Sequence, residues 1–125
     1  MKTKLTIIIA EIADRPTPSG LVPMRLLVDQ DEKFPSKYIS TKNLDDTIQE
    51  LLFKYTSNLD IRYCHPELAD FFHEAGSTES EVVFLVKLSQ GLIGTNEESS
   101  LVNINNLSIE EKYAGSIQRT PRAIQ

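Results

Sequence analysis

Seven consecutive residues, Val82-Val83-Phe84-Leu85-Val86-Lys87-Leu88, carry six apolar side chains and no turn former. Successive side chains of a strand point to opposite faces, so a run without alternation has both faces buried. The chain must therefore place this strand centrally in a sheet covered on two sides. At 125 residues it can bury roughly two-thirds of its unfolded surface, which suits one domain over residues 1–125. An apolar fraction of 40% with 25% charged residues is an ordinary globular mixture and excludes a disordered chain.

The cover for such a sheet is also visible. Leu44, Ile48, Leu51, Leu52 and Tyr55 follow the i, i+4, i+7, i+8, i+11 spacing of one helical face. Asn43 stands where a cap belongs, Asp45 and Asp46 suit the positive end of the helix dipole, Lys54 suits the other end, and Ser57-Asn58 ends the helix. Leu5 to Ile12 reads as a first strand, stopped by Arg15-Pro16-Thr17-Pro18-Ser19-Gly20. Leu21 to Val28 reads as a second, with Pro23 near its start or at an edge, followed by a polar turn from Asp29 to Lys33. Leu59 to Tyr63 suggests a short strand, and Pro66 to Glu74 a short helix with proline in its first turn and Gly76 beyond its end. Ser89 to Ser100 has loop composition with an extended piece around Leu92-Ile93, and Leu101 to Ile104 reads as the last strand. Ser108 with Glu111 forms a capping-box pattern, from which a terminal helix runs no further than Pro121.

A net charge of −5 is wrong for a general nucleic-acid surface, which needs clustered Lys and Arg. The segment from Lys112 to Gln125 is different, with Lys112, Arg119 and Arg122 and no acid; it is either a solvated terminus or a local contact for an acidic partner. The opening apolar run is broken by Glu11 and Asp14 and is too short to span a bilayer, so we expect neither signal peptide nor membrane contact, and a cytoplasmic setting or a viral or cellular assembly. Cys64 has no second cysteine to pair with.

Chemistry-bearing residues are sparse. Asp70 and His73 would share a helical face, with Cys64, His65 and Glu74 nearby, but tetrahedral zinc needs three or four converging ligands and no second cluster completes the set. There is no Gly-x-Ser-x-Gly elbow, and Gly91 and Gly94 lack the Lys-Ser/Thr of a phosphate loop. Phe71-Phe72 could stack on bases, or lie with one ring in the core and the other partly at the surface.

The order strand, loop, strand, Phe34-Pro35 turn, amphipathic helix, strand, buried strand, acidic loop, strand, helix resembles the Nudix hydrolases. The match is densest from Leu26 to Ile61: Leu26-Leu27-Val28, Phe34-Pro35, Leu44-Asp45-Asp46 and Leu59-Asp60-Ile61 stand where that family has its strand, aromatic-proline turn, helix start and strand entry. The resemblance implies an α/β (α+β) fold, a Nudix-like mixed β-sheet sandwiched between helices. It also implies a box of glutamates that bind Mg²⁺ through oxygen, so that the cation neutralises a diphosphate and activates water. This chain departs from the box almost throughout. Ser36-Lys37 replaces the glycine turn, Ser40-Thr41-Lys42 offers no glutamate, Gln49-Glu50 stands for Arg-Glu, Phe53-Lys54 (or Lys54-Tyr55) for Glu-Glu, and Ser57-Asn58 for glycine.

We therefore expect a Nudix-like module without catalysis, serving as a binding or structural component of a larger protein assembly, with no cofactor and no metal. Phe53 and Lys54 on the helix, and Arg119 and Arg122 in the tail, are the expected partner contacts. Glu50 is expected to pair with Lys54 four residues on. Two rival readings stand beside this one. The first is a divergent Mg²⁺-dependent hydrolase of a nucleoside diphosphate derivative, using Asp46, Glu50, Glu97 and Glu98. The second is a nucleotide or RNA-end binding domain without chemistry.

Overall fold

The computed structural model describes residues 2–20, 23–39 and 43–118. It contains strands β1 (Lys2–Ile12), β2 (Met24–Asp29) and β3 (Ser36–Tyr38), helices α1 (Leu44–Tyr55) and α2 (Ile61–Cys64), strands β4 (Glu67–His73), β5 (Glu79–Ser89) and β6 (Ser99–Asn103), and helix α3 (Ala114–Ile117). Short 3₁₀ turns at Ile104–Asn106 and Glu111–Tyr113 lead into α3.

Six strands form one mixed sheet in the order β4-β5-β1-β2-β6, with β3 also paired to β1. β1 and β5 run parallel from Lys2↔Glu79 to Ile12↔Ser89, and the other pairs are antiparallel. The apolar run of β5 lies inside the sheet as its composition requires, although β1 is the middle strand. Alternation along β1 divides the core: Leu5, Ile7 and Ile9 pack with Ile48, Leu51 and Leu52 of α1, while Ile8 and Ala10 pack with Tyr113 and Ile117. Helices thus cover both faces, as the expected α+β architecture demands.

Five sequence expectations are corrected. The strand expected from Leu59 to Tyr63 is instead α2, because Asp60 caps it by accepting the Arg62 N–H at 2.9 Å. His65 then ends the turn in the left-handed region at φ 48°. The helix expected from Pro66 to Glu74 is β4, since pairing with β5 supplies its backbone hydrogen bonds and overrides the proline start signal. Asp70 and His73 consequently sit opposite Val83 and Ser80 and face opposite sides of the sheet. Ser108 does not cap a helix: residues 107–110 carry no regular secondary structure, and helical structure starts only at Glu111. Leu92-Ile93 forms no strand, and β3 had no signal beyond three polar-to-aromatic residues.

Gly94 shows why the loop after β5 follows its path. A Cβ built there would lie 2.2 Å from Ser57 Oγ and 2.9 Å from Asn58 Oδ1, which itself accepts the Gly94 N–H. Gly94→Ala should cost about 1–2 kcal/mol by this crowding. Chemical denaturation checks it, with partial recovery in the Gly94→Ala/Ser57→Gly double variant.

Candidate functional site: the outward face of α1

The site begins with the cap. Asn43 Oδ1 accepts the Asp45 N–H at 2.9 Å, fixing where α1 starts, and the apolar stripe Ile48, Leu51, Leu52 and Tyr55 fixes which side turns inward. Asp45, Asp46, Gln49, Glu50, Phe53 and Lys54 are what remains for the other side. Gln49 turns partly inward, where its Oε1 accepts the Ile61 N–H at 2.9 Å and ties α1 to α2. Phe53 is 66% exposed, a large apolar surface with no cover.

Glu50 does not pair with Lys54 as expected. Lys37 of β3 reaches across and forms the ion pair with Glu50, while the Lys54 ammonium lies 5.2 Å from the centre of the Tyr55 ring. β3 was invisible in the sequence pattern, and so was this partner. The pair is half-exposed on both sides, so it is worth at most about 1 kcal/mol.

The loop after β5 closes against the end of α1. Asn96 Nδ2 donates to the Lys54 carbonyl at 2.9 Å and Ser99 Oγ to the Tyr55 carbonyl at 2.5 Å, satisfying acceptors that a helix end leaves open. Asn58 Nδ2 donates to the Leu92 carbonyl, and Gln30 Nε2 to the Glu97 carbonyl. This brings the acidic loop beside the last turn of α1, yet Glu97 and Glu98 point into solvent. Among the described residues no three His, Cys, Asp or Glu side chains gather where they could hold a metal ion. Of the acids that the divergent-hydrolase reading would use, Glu50 is ion-paired with Lys37, and Asp46, Glu97 and Glu98 are exposed. Arg119 and Arg122 lie outside the described residues.

Cys64 is buried at the end of α2, and that burial pushes its thiol up to about 11. A thiol held so high supplies almost no thiolate at neutral pH. Iodoacetamide at pH 8 should label the folded protein about a hundredfold more slowly than the guanidinium-unfolded chain. Mass spectrometry of the time course checks this.

The opposite face of the sheet holds a polar centre that sequence reasoning missed. Glu81 is buried and accepts from Thr6 Oγ1 and Tyr113 Oη, each at 2.5 Å, and from Lys112 Nζ at 2.8 Å, with Lys4 Nζ at 3.8 Å. Burial raises the Glu81 pKa, but the hydrogen bonds from Lys112, Thr6 and Tyr113 and the charge of Lys4 outweigh it, leaving the carboxyl below its ordinary range. The Tyr113 hydroxyl is pushed up to about 12, by burial first and then by Glu81. Beside it a cleft of about 270 Å³ opens between Lys4, Thr6, Val28, Lys33, Phe34 and Ile109. The only sequence signal was an acid abutting the apolar run of β5.

No family model and no curated protein sequence matches this chain. Among solved structures, the C-terminal domain of mouse MUTYH, crystallised in complex with human PCNA, superposes with a TM-score of 0.60 at 12% sequence identity, covering 89% of this chain and 81% of that one. The likeness shows the fold, a Nudix-like α+β domain. No helix among the described residues is long and apolar enough to cross a membrane.

Proposed function

We propose that this chain is a non-catalytic Nudix-like module that binds another protein through the outward face of α1. One observation carries the reading: where the resembled enzymes place paired carboxylates, α1 presents an exposed Phe53 beside Lys54. An aromatic ring in water gains by being covered, and a flanking ammonium gives the cover a preferred sign of charge. The tight hold of the Asn96 and Ser99 side chains on the end of α1 keeps this face rigid, which lowers the ordering cost of binding. A structural neighbour solved in complex with another protein is compatible with such a role.

The test is cross-linking and affinity capture of the tagged chain in its own cells, quantified against Phe53→Asp and Lys54→Glu. Both variants should melt within about 2 °C of the parent, since neither position is buried. The reading expects each to lose most of the captured partner. Unchanged capture by both variants would contradict it.

A further inference from the structure

Beyond α2, the margin of the sheet on the α1 side is left uncovered. β4 is an edge strand, and its register sets Leu68 beside Phe84 and Phe71 beside Val82. Leu68 is 58% and Phe71 56% exposed, while Phe84 and Val82 are half-buried and continue into the core beneath the helices. Side chains facing one another across antiparallel strands sit about 5 Å apart, so these four make one apolar strip.

The strand edge itself is closed to a further strand. The register shifts between Leu68 and Asp70, and the Asp70 carboxylate accepts the Phe71 N–H at 2.8 Å, so a bulge and an internal acceptor interrupt the ladder. What remains available is the side-chain surface. Its surroundings are acidic: none of the ion pairs among the described residues includes Glu67, Asp70 or Glu74, and the nearby Arg62 is held by Asp60. Glu67 and Asp70 project from the other face, but on an edge strand they act within a Debye length of roughly 8–10 Å. A second copy of a chain of net charge −5 would set these acids against themselves.

We infer that the Leu68–Phe71 strip of β4 docks a segment of another protein that carries apolar side chains flanked by lysine or arginine. This surface is distinct from the Phe53 face, and its failure would leave that reading intact.

The test is fluorescence anisotropy of a labelled Lys-Lys-Leu-Val-Phe-Lys-Lys peptide titrated with the full chain. Saturable binding should weaken at least tenfold in Phe71→Ser and in Leu68→Ser, weaken in the Glu67→Lys/Glu74→Lys double variant, and stay unchanged in Phe53→Asp. Thermal melts confirm that each variant is folded, and Leu68→Ser serves if Phe71→Ser is not. Equal binding of a Glu-Glu-Leu-Val-Phe-Glu-Glu peptide, affinity indifferent to both serine variants, or absence of binding up to millimolar concentration would overturn the inference. So would light scattering showing a Phe71-dependent dimer in place of peptide binding.

Discussion

Leu52→Ala is expected to destabilise the domain by about 3–4 kcal/mol, whereas Phe53→Ala, one residue on, should change stability by no more than about 0.5 kcal/mol. Leu52 is fully buried among Leu5, Ile7, Leu27 and Val86, so truncation removes the transfer energy of its side chain and leaves a cavity that a sheet-backed site cannot easily close. Phe53 already lies in water and has little left to lose. Guanidinium unfolding of the two variants reads the difference directly, and equal losses would mean that α1 turns a different face to the sheet. The prediction matters for function because the same rotation that buries Leu52 exposes the ring assigned to partner binding.

Glu81→Ala is the second large effect, at about 2–4 kcal/mol and a fall in Tm of about 10 °C. The substitution strands the Thr6 and Tyr113 hydroxyls, both buried, and leaves Lys112 and Lys4 without their shared carboxylate. The two lysines are about one-third exposed and can return to water, so the cost falls mainly on the hydroxyls. Glu81→Gln keeps an acceptor and should cost less, about 1–2 kcal/mol. The pH dependence has a definite sign. The Glu81 carboxyl titrates below its ordinary 4.5 in the folded state, so its contribution is complete above that value and is lost as pH falls through the lower folded one. Melting temperatures between pH 6 and pH 3 should therefore fall more steeply in the parent than in Glu81→Gln, and parallel slopes would count against this role.

Much of the fold was legible because burial patterns are written over many residues. The stripe from Leu44 to Tyr55 and the run of β5 each repeat their signal several times, and both elements stand where that signal puts them. The segments misread were short and locally ambiguous. Asp60 caps a four-residue helix that its β-rich composition masks, and Pro66 announces a helix that β5 converts to strand by offering a full set of backbone partners. Ser108 and Glu111 have the spacing of a capping box, but Ser108 lies in a stretch without regular secondary structure, three residues before the first helical turn. The site was less legible than the fold. That Phe53 and Lys54 share the outward side follows from helical period alone, but Lys37 on Glu50 and the cluster around Glu81 join residues 13 and up to 77 positions apart along the chain, which no local pattern encodes.

Metal-dependent turnover reads out the chemistry of the outward face of α1. The purified chain, incubated with Mg²⁺ or Mn²⁺ and a panel of nucleoside diphosphate derivatives, is expected to release product no faster than the uncatalysed control, with Glu50→Gln indistinguishable from the parent. Metal-dependent hydrolysis that Glu50→Gln abolishes would contradict the non-catalytic reading, and would show that a carboxylate ion-paired to Lys37 can exchange that partner for a cation.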